Sequence, residues 1–181
     1  MQVFQRAFGA EHSNALLDVW NFLARAQPHG FVAARQDGRL VGYAIFVESL
    51  SRIQTRAIRS GEVLKWLLHA LTGRYKFKIS AKLRTLRNKA KFLFSGQKFR
   101  TKGDAQLLNI AVEPSSQGEG IAKKLIIAGL SAMRAAGVPE IRLEVRPWNR
   151  SAIQVYEATG WREVGRTRDL EGEWIVMVAN P

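Results

Sequence analysis

The sequence predicts a mixed α/β (α+β) fold: a central, mostly antiparallel sheet with helices on both faces. Three observations carry that reading. A strand, a glycine turn, a helix and a second strand succeed one another over residues 105–146, and such a unit crosses over right-handedly with its strands parallel. The runs 31–48 and 161–179 each read as two strands joined by a short turn, which adds antiparallel neighbours. The stretch 51–104 departs from the rest in charge and reads as a basic helical insertion.

Each element has a local cause. Over residues 10–26, Leu16, Val19, Trp20 and Leu23 recur on one helical face, and Pro28 and Gly30 end the helix. Residues 31–35 and 40–48 are apolar and partly β-branched, and the Asp37-Gly38 pair between them tolerates the positive φ of a tight hairpin turn. Residues 62–71 and about 76–94 look helical; in the second stretch Ile79, Leu83, Leu86, Ala90 and Leu93 keep helical spacing among lysines and arginines. Residues 105–112 read as a strand. A helix follows from about Gly120 to Ala136, with Ile121, Leu125, Ala128 and Ala132 on one face and Gly137 and Pro139 after it. Residues 140–146 form the second strand, Asn149–Thr159 a short helix stopped by Gly160, and 161–168 with 173–179 a closing hairpin.

Composition narrows the chemistry. The chain of 181 residues is 46% hydrophobic, which suits one domain, 1–181. It contains no cysteine, so disulfides, thiolate metal sites and a cysteine nucleophile are excluded. His12, His29 and His69 are scattered and show no metal-ligand spacing, so no metal is expected. No apolar run approaches the roughly 20 residues that span a bilayer, and Arg6 and Glu11 interrupt any leader-like core. A soluble, cytoplasmic protein is expected. The net charge of +13 is concentrated: residues 51–104 hold 15 of the 28 basic residues and only two acids, Glu62 and Asp104, while the remainder is neutral. That segment predicts contact with an anionic partner: a membrane surface at the inner face, nucleic acid, or an acidic small substrate such as a nucleotide-linked amino sugar. Its bland alternative is a solvated decoration that packs Trp66, Leu67 and Leu83 on the body.

The segment Gln117-Gly118-Glu119-Gly120-Ile121-Ala122-Lys123 lies between a strand and a helix. A helix start leaves backbone N–H groups without intrahelical partners, and glycines let that backbone approach a ligand, which makes an anion site suited to a pyrophosphate. The turn is neither a P-loop, lacking Gly-Lys-Ser/Thr, nor a dinucleotide fingerprint, lacking a third spaced glycine. By itself it equally marks a tight connection.

With its surroundings, Asn109-Ile110-Ala111-Val112-Glu113-Pro114-Ser115-Ser116-Gln117-Gly118-Glu119-Gly120-Ile121-Ala122 resembles motif A of the GNAT superfamily, with Gln117-x-x-Gly120-x-Ala122 as its signature. Residues 143–161 resemble motif B, through Asn149, Ala152, Tyr156, Gly160 and Trp161. The two occur in family order, over about residues 105–161. The strings Asn-Ile-Ala-Val and Leu-Glu-Val-Arg are most similar to the bacterial ribosomal-protein N-terminal alanine acetyltransferase branch. The resemblance implies acetyl-CoA as cosubstrate. The turn Gln117 to Lys123 would hold its pyrophosphate, the open edge of Ile110, Ala111 and Val112 its pantetheine arm, and Asn149 would contact it. Glu144 would be general base and Tyr156 general acid. Glu48 and Glu113 are rival carboxylates, and Asn149 also suits a helix N-cap.

The implied function is acetyl transfer to a primary amine by direct attack in a ternary complex. The expected acceptor is an amino sugar or another anionic or membrane-proximal amine. The alternatives are a protein N-terminal acetyltransferase and a non-catalytic acyl-CoA- or nucleic-acid-binding module; a homodimer is allowed. Two departures from the family stand out: its first strand is missing or reduced to about residues 2–5, and residues 51–104 replace a short link.

Overall fold

The computed structural model describes Val3 and residues 14–74, 102–169 and 172–181. Its sheet runs in the order β1-β2-β3-β4-β6-β5, formed by β1 (Phe31–Gln36), β2 (Arg39–Val47), β3 (Gln106–Val112), β4 (Ile141–Val145), β5 (Arg162–Asp169) and β6 (Gly172–Ala179). All neighbours are antiparallel except β3 and β4, as the crossover pattern predicts. The first hairpin turns at Asp37 (φ 48°) and Gly38 (φ 75°), both in the left-handed region that an Asp-Gly turn supplies.

β2 shows why the sheet is covered on both sides. Residues 41–47 are all buried, and alternate side chains enter different cores. Ala44 and Phe46 join one cluster with Leu125, Ile126, Met133, Leu143 and Met177. Tyr43, Ile45 and Val47 join another with Phe22, Leu23 and Ala57. The first cluster lies beneath α4 (Ile121–Ala135) and α5 (Arg150–Glu157); the second lies beneath α1 (Asn14–Ala26) and α2 (Leu50–Arg59). α3 (Glu62–Leu71) packs on α1 and α2.

Three details depart from the sequence reading. The inward face of α4 is Ile121, Leu125, Ile126, Gly129 and Met133, with Ala128 exposed, so the stripe is rotated from the expected one. The rotation follows from Gly129, whose missing side chain seats the Phe46 ring: a Cβ there would lie 2.0 Å from it. Residues 50–59, for which no element was expected, form α2, with Ser49 as N-cap accepting from the Arg52 N–H. The strand remnant expected near 2–5 lies outside the described residues except for Val3, which is helical and buried. The expected helix at 76–94 and the side chain of Leu16 also lie outside them.

The insertion is closed at its base. Asp104 accepts the Leu50 N–H on its backbone oxygen (3.1 Å) and the Ser51 N–H on its carboxylate (2.6 Å). Both ends of the excursion therefore meet at one point beside β3, where β2 and β3 stay paired through Val47↔Gln106.

Candidate active site

The site is built on the parallel pair. β3 pairs with β2 as far as Val112, but its register with β4 is confined to Gln106↔Arg142. Between Phe46↔Leu107 and Ile45↔Asn109 the β2 register skips Leu108, which is a β-bulge in β3. An extra residue bends and twists a strand, and pairing with β4 ends at Gln106, two residues ahead of this one. Beyond it the two strands separate. The β4-facing edge of Ile110, Ala111 and Val112 is left without a ladder partner.

A cleft of about 660 Å³ occupies this opening. Ile110, Ala111 and Val112 form one wall. Gln117, Gly118, Gly120, Ile121, Ala122 and Lys123 form its mouth, and Asn149 and Tyr156 line it from α5. The conformation of the mouth comes from two glycines in the left-handed region, Gly118 (φ 88°) and the N-cap Gly120 (φ 74°). The first intrahelical bond of α4 is Lys124 N–H to the Gly120 carbonyl at 3.1 Å, so the N–H groups of Ile121, Ala122 and Lys123 have no α-helical acceptor. The Gln117 side chain donates back to the Val112 carbonyl (3.3 Å) and ties the turn to the strand end. With the helix dipole and the Lys123 ammonium, the mouth is an anion-binding concavity.

Asn149 caps α5, accepting from the Ala152 N–H at 3.3 Å, and it lines the cleft. Tyr156 is buried at the inner end, its ring tilted on Trp161 with centroids 5.9 Å apart. Burial pushes its phenol up to about 12, so it stays protonated across the neutral range.

Two of the expected residues do not line the cleft. Glu119 turns away, accepting a hydrogen bond from Gln36 Nε2 at 2.6 Å. Glu144 sits on β4 between Leu143 and Val145, which enter the α4/α5 core, so alternation turns it to the opposite face of the sheet. There it accepts from Arg142 at 3.1 Å. Burial raises its carboxyl above the ordinary range, and the Arg142 charge only partly offsets this. Of the rival carboxylates, Glu48 pairs with Arg52 at 3.6 Å, and Glu113 is half-buried ahead of Pro114.

The sequence reading missed Ser116, Ser151, Ala152, Gln154 and Val155 as lining residues. Helical spacing back from Tyr156 was the available signal for Ala152. It also missed a cluster beyond Glu144. The Arg146 guanidinium lies 3.6 Å from the centroid of the Trp174 ring and 5.2 Å from that of Trp148, and it pairs with Asp169 at 3.4 Å. Trp174 Nε1 donates to the same Asp169 (2.9 Å). Among the described residues no group of three or more His, Cys, Asp or Glu is arranged to hold a metal ion.

A splayed parallel pair, a glycine turn opening a helix and a buried tyrosine together make one cleft with an anion-binding mouth. The chain belongs to the acetyltransferase (GNAT) family, whose profile matches residues 1–161. Over 61 residues it is 38% identical to a ribosomal protein bS18-alanine N-acetyltransferase of Haemophilus ducreyi, covering 34% of this chain and 42% of that protein. Over 52 residues it is 42% identical to a mycothiol acetyltransferase of a Nocardioides species, covering 29% of this chain and 18% of that one. The matches thus span less than half the length of these curated relatives. The crystal structure of the ribosomal-protein-S18-alanine N-acetyltransferase from Escherichia coli superposes over 99% of this chain and 83% of that one, with a TM-score of 0.56 at 19% identity, a likeness of fold.

Proposed function

We propose that the chain transfers an acetyl group from acetyl-CoA to a primary amine within a single ternary complex. The observation that carries the proposal is the β3–β4 wedge, with the glycine turn at its mouth and Tyr156 at its inner end. Because the strands part beyond Gln106, the gap links the two faces of the sheet. The cosubstrate enters from the α4/α5 side, with its pyrophosphate on the N–H groups of residues 118–123 and its pantetheine arm along Ile110–Val112. The amine approaches from the face that carries Glu144.

In this reading Glu144, made more basic by burial, takes the proton from the attacking ammonium or amine, directly or through a water. The unpaired N–H groups at the Ile110–Val112 edge donate to the thioester oxygen as negative charge gathers there. Tyr156 gives its phenolic proton to the sulfur as the carbon–sulfur bond breaks, and solvent restores it. An amide and a thiol leave, and no covalent enzyme intermediate is needed.

For the acceptor, a peptide N-terminus is the first class to test, because a relative is named for an alanine of a ribosomal protein. Amino sugars form the second arm. The deciding experiment measures thiol release from acetyl-CoA against N-terminal peptides, amino sugars, polyamines and amino acids. Turnover with at least one class supports the proposal. Tight acetyl-CoA binding with no release on any of them would leave a non-catalytic binding module instead.

A further inference from the structure

Helix α3 is inside out. A helix laid on a core normally turns its apolar stripe inward. α3 turns inward a half-buried Trp66, whose ring meets Phe22 edge-on at 5.6 Å, together with half-buried His69, 2.9 Å from Asp18, and Glu62, 2.9 Å from Arg25. Its outward face is Leu64, Leu67, Leu68 and Leu71, at i, i+3, i+4 and i+7, with exposures of 62%, 59%, 52% and 77%. Ile58, near the end of α2, adds a further side chain 68% exposed. Among the described residues nothing covers this stripe. A contiguous apolar face of this kind marks a contact surface.

Charge selects the partner. Arg59 and Arg74 stand exposed around the stripe beside Lys65, which is exposed and 3.6 Å from Glu62, and Arg52, 3.6 Å from Glu48, and Arg56 continue the basic character along α2. The only acid in residues 50–74 is Glu62, which is turned inward. Residues 75–102 add ten lysines and arginines and no acid. A second copy of this chain would bring the same cations against these and be repelled. A nucleic acid would pair with the cations and leave the leucines in water. An anionic bilayer satisfies both features. Its phosphates meet the cations, and its acyl boundary takes the leucines. With ten residues at about 1.5 Å each, α3 is about half the thickness of a hydrocarbon core. No helix among the described residues is long and apolar enough to cross a membrane. We infer that α3 is an interfacial helix that docks this chain flat on an anionic lipid surface through Leu64, Leu67, Leu68 and Leu71. The inference stands independently of the transferase reading.

The test is co-sedimentation of the full chain with vesicles of phosphatidylcholine alone and of a two-to-one mixture with phosphatidylglycerol. Two double variants, Leu67→Gln/Leu71→Gln and Arg59→Gln/Lys65→Gln, change only exposed side chains. The mixed vesicles are expected to bind at least about tenfold more tightly than neutral ones, and each double variant is expected to lose roughly tenfold. Four results overturn the inference. The mixed vesicles bind no better than neutral ones. The leucine variant binds them like the parent, so charge alone acts. An RNA oligonucleotide is held more tightly than the vesicles and is indifferent to the leucine variant. Without lipid, the leucine variant melts several degrees lower or turns a dimer into a monomer, so that protein already covers the stripe.

Discussion

Replacing Tyr156 by phenylalanine removes one oxygen from the inner end of the cleft and leaves the ring in place. The side chain is 7% exposed and tilted on Trp161, so its packing survives, and the hydroxyl opens on the cleft, so its loss orphans no enclosed partner. Stability should change by no more than about 0.5 kcal/mol. Turnover should not survive so well. Burial pushes the phenol up to about 12, above the value near about 8.5 at which a thiol titrates in water. The transfer is productive only in step with carbon–sulfur cleavage, in a cleft whose dryness raises the basicity of the departing thiolate as it raises that of the phenol. General acids supply about 10²–10⁴ in rate, and this mismatch places Tyr156 at the lower end. The expected loss is about 10² in kcat, or about 2.7 kcal/mol of barrier, with KM for acetyl-CoA nearly constant. The chain has no cysteine, so a thiol-reactive chromophore reads released CoA without background. A variant within about threefold of the parent in kcat would refute the reasoning, because the hydroxyl would then be doing no more than packing.

Glu144→Gln should lower kcat by about 10²–10³ and flatten the acidic limb of the pH–rate profile, since a base must be unprotonated to act. Its stability effect has the opposite sign. Burial raises the folded carboxyl above its ordinary 4.5, so the folded chain binds that proton more tightly than the unfolded one. Stability therefore falls as pH rises from 4.5 through the raised value, and the glutamine variant should melt no lower than the parent at neutral pH. A clear drop in its melting temperature would mark Glu144 as a structural partner of Arg142 instead. Gly129→Ala should destabilise by about 1–3 kcal/mol, because its Cβ would fall 2.0–2.6 Å from the Phe46 ring atoms Cε2, Cζ and Cδ2; a thermal melt unchanged within error contradicts that packing. Gly120→Ala meets no neighbour within 4 Å but must hold φ 74°, at a cost of about 1–2 kcal/mol. The helix start should shift and acetyl-CoA affinity fall by about tenfold in calorimetry, and an unchanged affinity would show that the turn does not need the left-handed glycine.

Local rules made the sheet legible. Asp37-Gly38 dictates its hairpin, and the change from alternation to helical spacing after Gly120 dictates the crossover. Eleven of the thirteen residues given site roles line one cleft, because both motifs sit at the splayed end of the parallel pair. What stayed hidden depends on tertiary contacts. α2 is polar at six of its ten positions, with Ile53 and Ala57 packed on the core and Ile58 exposed, and its position is set by the Asp104 bonds from 53 residues away. The bulge at Leu108 has no composition signal, since every residue of β3 from Leu107 to Val112 except Asn109 is apolar. Glu119 looked like part of the anion turn, but its carboxylate is drawn to Gln36 across the β1–β2 hairpin. The outward leucines of α3 have the spacing of a core helix, and only the packing of Trp66 on Phe22 shows which face is inside.

In the proposed reading, the bare N–H groups of residues 118–123 hold a diphosphate at the mouth of the β3–β4 wedge. Calorimetric titration of the chain with acetyl-CoA, beside S-acetylpantetheine, which lacks the diphosphate, tests it most directly. Saturable acetyl-CoA binding is expected, with an affinity for the truncated thioester lower by at least about tenfold. Equal affinities, or no heat with acetyl-CoA, would contradict it.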